Sequence, residues 1–213
     1  MNLKEIYTVG HSNHQIDYFL ELLKFRNINC LIDVRSTPVS NYSPQFNKLP
    51  LKNYLKNNNI TYMHFKDEFG ARHEQETVLD ENGQVNFELF RKTNEFKKGI
   101  ERVEKGFSKG YRIALMCSEG NPLECHRFSM ISVYLNKIGY NVFHILKNKV
   151  VKSHAQLEQE LLKKYQKKLP KPSLFDPKID EGRIIKEAYK LHNKEIGWIK
   201  DKFKERRKIG QYD

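Results

Sequence analysis

The sequence predicts an α/β protein with a Rossmann-like open, mostly parallel sheet of about five strands and helices on both faces, followed by a basic helical C-terminal extension. Short runs rich in β-branched and aromatic residues alternate with longer segments whose apolar residues recur at helical spacing. Strands that alternate with helices favour a parallel sheet that is covered on both sides. With 213 residues, of which 38% are hydrophobic and 12% aromatic, the chain can bury a core without disulfides.

Five runs are predicted to be strands. The first is Ile6–Val9, which precedes Gly10 and then a helical pattern that contains Tyr18, Phe19 and Leu20. The other four runs are residues 30–34, 60–65, 111–116 and 140–146. Between them, helices are expected at about residues 87–106 and 122–138.

The composition changes after residue 162, which predicts an α/β domain at 1–162 and the basic helical extension at 163–213. Residues 151–213 carry seven of the twelve net positive charges. Apolar side chains at helical spacing predict that the extension packs on the body, with Trp198 as the main anchor. Contact of its basic face with nucleic acid is the alternative. The apolar positions are Ile184, Ile185, Ala188, Leu191, Ile196, Trp198, Ile199 and Phe203.

The net charge of +12 and the pI near 9.5 favour an anionic small molecule or a nucleic acid as partner, although solubility alone also explains them. No apolar run reaches the roughly 18 residues that a membrane helix needs, and we expect no membrane association. The first residues lack the apolar core of a secretory signal, and an odd count of three cysteines does not suit a disulfide framework. A cytoplasmic location is therefore expected.

Polar residues follow the predicted strands, and in open α/β sheets ligands bind beyond the carboxyl ends of the strands. These segments are residues 10–14, 33–38, 66–72 and 117–122. The loop at 37–50 either covers a substrate or is an ordinary surface loop. The binding residues predicted from these segments and this loop are Ser12, Asp33, Arg35, Asn47 and Arg72.

The densest group of reactive side chains lies in residues 117–127. Asn121 and Pro122 suit the start of a helix, whose amides would face the strand end. A helix terminus together with a nearby His or Arg lowers the pKa of a thiol, so Cys117 is predicted to be the nucleophile or a redox-sensitive wall of the pocket. An inert buried cysteine is the alternative. Glu119 and His126 are predicted to transfer protons, and His11 is a further catalytic candidate.

Two arginines are predicted to hold an anion. Arg35 and Arg127 each offer a planar fork suited to phosphate or carboxylate, and Asp33 would orient Arg35 or His11. Alternatively, Arg127 forms a structural ion pair with Asp33 or Glu119. Cys125, His126 and Arg127 point about 100° apart in a helix, so we expect that only one or two of them face a common ligand.

The motifs of several enzyme classes are missing. The chain has no dinucleotide-binding or phosphate-loop glycine motif and no Gly-x-Ser-x-Gly elbow, so no cofactor is predicted. The cysteine loop of phosphatases and sulfurtransferases needs an arginine six positions after the cysteine, where this chain has Leu123. No metal is predicted either, because the spacing of Cys117 and Cys125 does not match short zinc knuckles. Convergence of His11, His14, Cys117, Cys125 and His126 on a metal is the alternative.

From Tyr7 to about Ile145 the chain resembles the domain-of-unknown-function 488 family. The shared motifs are Gly10-His11-Ser12, Asp33-Val34-Arg35-Ser36 with Pro38, Pro44-Gln45-Phe46-Asn47, Phe69-Gly70 with Arg72, Met116-Cys117-Ser118-Glu119, Cys125-His126-Arg127 and His144-Ile145. Family members usually have a second glycine where this chain has Ala71. The resemblance implies an α/β domain whose polar pocket includes His11, Arg35, Cys117, Glu119, His126 and Arg127, and an association with DNA repair or defence.

Two functions follow. The first is an intracellular enzyme that acts on a phosphorylated, nucleotide or nucleic-acid substrate through the Cys/His/Glu/Arg cluster. The second is a non-catalytic module that binds a nucleotide or nucleic acid, with the basic tail along the backbone. Steep salt dependence of binding would favour the second function. The sequence predicts neither the reaction nor the oligomeric state.

Overall fold

The computed structural model describes residues 4–171 and 180–200 and confirms the α/β class. All five predicted strands are present, and a sixth follows them. The strands are β1 Glu5–Gly10, β2 Cys30–Asp33, β3 Thr61–His64, β4 Ile113–Cys117, β5 Asn141–Ile145 and β6 Val151–Ser153. The helices are α1 Ile16–Lys24, α2 Lys48–Asn57, α3 Lys66–Phe69, α4 Phe87–Phe90, α5 Asn94–Ser108, α6 Val133–Lys137, α7 His154–Tyr165 and α8 Glu181–Ile196.

The strands form one sheet in the order β3-β2-β4-β1-β5-β6. The first five are parallel, and β6 runs antiparallel to β5. From β1 the chain goes to β2 on one side, whereas from β4 it goes to β5 on the other side. The strand order therefore reverses between β1 and β4, which is where open α/β sheets form their ligand crevice.

Helices cover both faces of the sheet, and the alternation of side chains along β4 divides the core between them. Met116 points to the face covered by α1 and α2 and packs with Phe19 and Leu51. Leu115 points to the other face and packs with Phe96 of α5. The side chains of Met116 and Leu115 are both fully buried.

The two predicted helices differ from the observed ones in detail. The first is interrupted after α4, because the Thr93 side chain accepts a hydrogen bond from the amide of Phe96 (3.2 Å) and begins α5 as a new helix. The second is not one α-helix. A 3-10 turn at Pro122–Glu124 leads through an extended Cys125 into a π-helix at Arg127–Ser132, and α6 follows. Asn121 caps this 3-10 turn and not the predicted helix, so no α-helix starts opposite Cys117 at this point.

The C-terminal residues pack through α8. Its buried side chains are Ala188 and His192, and Ala188 lies in a small apolar cluster with α7 and Phe128. Trp198 is partly buried against the main core, and its carbonyl oxygen accepts a hydrogen bond from the amide of Val85 (2.9 Å). Phe203 lies outside the described residues. Among the helices within 4–171 and 180–200, none combines the length and the apolar character needed to span a membrane.

Candidate functional site

The site lies beyond the carboxyl ends of β1, β2 and β4, at the reversal of strand order. The segments after β1 and β4 stay paired beyond the strands: the amide of His11 donates to the carbonyl of Cys117 (3.0 Å), and that of Ser12 donates to the carbonyl of Ser118 (2.8 Å). These main-chain bonds hold the two loops side by side. The predicted residues of both loops are thereby brought to one place.

Two thiols and one imidazole meet at the end of β4. The Nδ1 atom of His126 lies 3.8 Å from Sγ of Cys117 and 3.7 Å from Sγ of Cys125. All three side chains are buried. Cys125 and His126 therefore face Cys117 together, because Cys125 is extended and His126 begins the next helix.

The main chain fixes the orientation of the His126 ring. Its Nε2 lies 3.2 Å from the carbonyl oxygen of Val34, which can only accept a hydrogen bond. Nε2 is therefore the protonated nitrogen. In the neutral ring this leaves the lone pair of Nδ1 pointing at the two sulfur atoms.

The cluster shifts the pKa of each of its members. Burial, followed by the contact with Cys125, raises the pKa of Cys117. Burial also opposes ionisation of Cys125, but the hydrogen bond from Cys117 and the charge of Arg127 outweigh it and lower the pKa of Cys125. Burial lowers the pKa of His126, yet the neighbouring Cys125 thiolate raises it overall. The two thiols therefore differ in environment: Arg127 and His126 favour the thiolate of Cys125, whereas burial disfavours that of Cys117.

Glu119 borders the two thiols. Burial, and next the charge of Cys125, raise the pKa of Glu119. Its Oε2 atom is buried and has no hydrogen-bond partner among residues 4–171 and 180–200. Glu119 is thus a carboxyl group with unused hydrogen-bonding capacity beside a reactive pair of sulfur atoms.

Arg127 lies under the loop that follows β4 and is fully buried. Its guanidinium donates to the carbonyl oxygens of Glu119 (2.7 Å) and Gly120 (3.2 Å), whereas its Nε has no partner in the part of the chain that the structure describes. Within the described residues, the alternative ion pair of Arg127 with Asp33 or the Glu119 carboxylate is not formed. Arg127 positions the loop and leaves its positive charge without a carboxylate.

Asp33 and Arg35 form a buried ion pair at the end of β2. Arg35 donates from Nε to one Asp33 oxygen (2.9 Å) and from a terminal nitrogen to the other (2.6 Å). Tyr62 donates its hydroxyl to Asp33 (2.7 Å), and Arg35 also donates to the carbonyl of Phe46 (2.8 Å). Asp33 orients Arg35 as predicted, and most donors of Arg35 are used within the protein.

His11 links this network to the end of β1. Its Nδ1 donates to the carbonyl of Ser12 (2.7 Å), so its Nε2 accepts a hydrogen bond from Arg35 (3.0 Å). The ring stacks on Phe46 with the ring centres 4.3 Å apart. Burial, and then the charge of Arg35, lower the pKa of His11 to about 4. His11 is therefore a neutral ring at physiological pH.

The other predicted binding residues lie at the margin. Ser12 is half-buried with a φ of 48°. Asn47 accepts a hydrogen bond from the amide of Ser40 (2.6 Å) and thus closes the loop before α2. Arg72 is exposed, and its amide donates to the hydroxyl of Ser36 (3.0 Å) just after β2. Phe46 in this loop contacts His11, whereas Asn47 secures the loop.

Sequence reasoning left three contributors out of the predicted site. The predicted site does not include Cys125, although its thiol faces His126. Tyr62 and His64 were assigned only to a strand, yet Tyr62 binds Asp33 and the Nε2 of His64 lies 2.8 Å from the carbonyl of Arg35. Their spacing of two residues is the available signal, since it puts both side chains on one face of β3.

The fold and this cluster define an open α/β protein with a thiol, imidazole and carboxyl site at its switch point. A family model described as Domain of unknown function DUF488 matches residues 15–135, which is more than half of the chain. The protein belongs to the DUF488 family. Searches of curated proteins and of solved structures give no match.

Proposed function

We propose that this protein is an enzyme that acts on a phosphorylated, nucleotide or nucleic-acid substrate at the carboxyl end of β4. The observation that carries the proposal is the convergence of the buried Cys117, Cys125 and His126 with the half-buried Glu119 at the reversal of strand order. Burying so many polar groups is costly, and a structural role alone would be served by apolar residues.

Glu119 is the best-placed group for proton transfer to a substrate. Among the described residues its buried Oε2 has no hydrogen-bond partner, whereas the Nε2 of His126 is already engaged by the carbonyl of Val34. Other atoms of Glu119 are partly exposed, so a ligand that enters the site from the loop after β4 would reach Oε2. Cys117 and Cys125 would form the wall behind it.

The positive charge of Arg127, which has no carboxylate partner among the described residues, favours an anionic substrate, whereas that of Arg35 is paired with Asp33. The guanidinium of Arg127 already donates to two main-chain carbonyls, so Arg127 would act mainly through its charge. Direct contacts would come from the half-buried Ser12 and the exposed Arg72, which lie at the margin of the site. A phosphate group suits this combination of buried positive charge and accessible donors.

A basic groove supports the second candidate function, a non-catalytic nucleic-acid binding module. It has a volume of about 950 Å³ and lies between α8, α6 and the segment around α4. Its basic residues are Arg91, Lys92, Lys137, Lys186, Lys190 and Lys194, against three acidic ones. Binding there would track phosphates and weaken steeply with salt.

The test is a thermal-shift screen of the full chain against nucleotides, sugar phosphates and oligonucleotides at two salt concentrations, followed by turnover assays on each ligand found. The enzyme proposal expects a ligand that stabilises the protein at both salt concentrations and is turned over. Glu119→Gln should lower kcat by about 10²- to 10⁴-fold. Glu124→Gln is the matched control, because Glu124 is exposed in the same loop and its carboxylate accepts a hydrogen bond from the Asn121 side chain outside the cluster.

Two outcomes would contradict the enzyme proposal. One is full activity of Glu119→Gln on a proven substrate. The other is stabilisation by oligonucleotides alone that disappears at high salt and does not change in Arg72→Ala, with Lys109→Ala as the exposed control cation far from the site. That second pattern would assign the function to the basic groove.

A further inference from the structure

We propose that Cys117, Cys125 and His126 bind a zinc-type divalent cation, and that Glu119 faces the open fourth position. The linear spacing of these residues does not predict a metal site, but the fold brings their ligand atoms together. The proposal goes beyond the proposed function and does not depend on the substrate, because a bound ion can be measured without one.

The first argument is the size of the cluster. The two sulfur atoms and Nδ1 all lie within 4.8 Å of one another, and Nδ1 lies 3.7 and 3.8 Å from the sulfur atoms. Around a tetrahedral zinc ion, Zn–S bonds of about 2.3 Å and Zn–N bonds of about 2.0–2.1 Å put neighbouring ligand atoms about 3.5–3.8 Å apart. The separations involving nitrogen are therefore already close to those of a zinc site.

The second argument is the orientation of His126. Metal-binding histidines almost always donate their other ring nitrogen to a carboxylate, a carbonyl or water. Here Nε2 donates to the carbonyl of Val34 (3.2 Å), so Nδ1 is the nitrogen free to bind a metal. The ring is held by the end of β2, whereas both sulfur ligands come from β4 and the loop after it.

The third argument is charge. Arg127 is fully buried, and its guanidinium has no carboxylate partner among the described residues. Two thiolates and an ionised Glu119 around a divalent cation leave one negative charge, which Arg127 balances. A buried charge needs such compensation, and the anionic ligand set supplies a counter-charge that the described residues otherwise do not give Arg127.

The ligand types indicate the metal and its role. Sulfur and imidazole ligands favour zinc over magnesium or calcium, which bind oxygen. Three protein ligands with a fourth open position are typical of catalytic zinc sites. The partnerless Oε2 of Glu119 would then accept a proton from a water molecule at that position.

The experiment measures zinc in the full chain, purified under reducing conditions. The protein is unfolded in guanidinium with a metallochromic dye, and apoprotein is then titrated with Co²⁺. We expect about one equivalent of zinc per chain and the charge-transfer absorption of a Co²⁺–thiolate complex. Neither measurement requires a variant that folds.

Variants then assign the ligands. Cys125→Ser and His126→Gln should each weaken Zn²⁺ binding by at least about tenfold. Cys30→Ser is the control, because Cys30 is equally buried but lies at the opposite end of β2, and it should bind as the wild type does.

Three results would overturn the proposal: no zinc and no Co²⁺–thiolate band in the wild type, unchanged affinity in the ligand variants, or a Cys117–Cys125 disulfide in protein kept under reductant. Zinc binding without activity on any anionic substrate would instead contradict only the proposed function. The two proposals can therefore fail separately.

Discussion

Asp33 is the residue on which the ends of β1, β2 and β3 depend. Both of its oxygens accept hydrogen bonds, from Arg35 and from Tyr62, and Arg35 also donates to His11. The carboxylate is fully buried. Such an ion pair contributes little net stability compared with apolar residues, but the loss of one partner leaves a buried charge uncompensated.

Asp33→Asn should therefore lower the free energy of unfolding by about 3–5 kcal/mol, because Arg35 would remain buried without its counter-charge. Urea denaturation at neutral pH measures the loss. Glu21→Gln is the control: Glu21 forms an exposed pair with Lys149, and its loss should cost less than about 1 kcal/mol. Equal effects of the two substitutions would mean that the buried network does not support the strand ends.

Gly10 is required by the close approach of the loops after β1 and β4. A Cβ atom added at Gly10 would lie 1.9 Å from the carbonyl oxygen of Glu119, which belongs to the main chain and cannot move aside freely. At Gly120 the nearest atom to such a Cβ is the Ser12 hydroxyl at 3.4 Å, an ordinary contact.

We therefore expect Gly10→Ala to lower the free energy of unfolding by about 1–3 kcal/mol or more, and Gly120→Ala to have a much smaller effect. Thermal and urea denaturation of both variants test this. If Gly10→Ala were as stable as the wild type, the two loops could not be held together as described.

Single residues of the site could be predicted when their chemistry was visible in the sequence. Cys117, Glu119 and His11 lie at the candidate site, where the rule that ligands bind beyond strand ends predicts them. Tyr62 was not found, since a tyrosine inside a strand is typical of a core residue. The engagement of Arg35 and Arg127 by internal acceptors depends on contacts between distant segments, which the sequence does not specify locally.

At the scale of elements, a chain of buried histidines joins β5, α7 and α8. His144 lies 3.3 Å from His154 between ring nitrogens, and the other nitrogen of His154 lies 3.0 Å from the Tyr189 hydroxyl. Tyr189 also donates to Glu158 (3.0 Å). The Nδ1 atom of His144 lies 2.8 Å from the Thr8 hydroxyl, so this series of side chains connects the sheet to α8.

The burial of these two histidines predicts that the free energy of unfolding falls in mild acid. Burial lowers the pKa of His154 to about 4 and holds that of His144 well below its ordinary value of 6.5. From pH 6.5 down to about 4, the unfolded chain takes up protons that the folded protein excludes. The free energy of unfolding should therefore fall by about 1.4 kcal/mol per pH unit for each such histidine.

Urea denaturation at several pH values between about 4.5 and 6.5 tests this dependence. His154→Gln should reduce the slope of the free energy of unfolding against pH by about 1.4 kcal/mol per pH unit, which is the contribution of one proton. Tyr189→Phe is the control, because it removes a hydrogen bond of His154 without removing the imidazole, and it should keep the slope. An unchanged slope in His154→Gln would contradict a neutral, buried His154.

The elements themselves were predictable where their periodicity was strong. The five parallel strands were, because each is a compact apolar run. β6 was not, since it has only three residues with Lys152 in the middle. The π-helix at Arg127–Ser132 could not be predicted from the sequence, although it directly follows Cys125 and His126. Turns of π-helix are frequent at functional sites.

At the scale of the whole molecule, the alternation of strands and helices predicted the fold class but not the strand order. Whether β4 inserts between β1 and β2 depends on long-range pairing, and this insertion creates the switch point. The net charge of +12 gives the molecule a field that attracts anions, which supports the proposed anionic substrate. The location of the candidate site follows from topology.

NMR tests directly whether ligands bind where β1, β2 and β4 end. ¹⁵N-labelled full-length protein is titrated with a mixture of nucleoside monophosphates and then with a short oligonucleotide. We expect the shifted amides to cluster at residues 11–14, 34–37 and 117–121. Shifts confined to α8 and the basic groove, or no shifts with any probe, would contradict it.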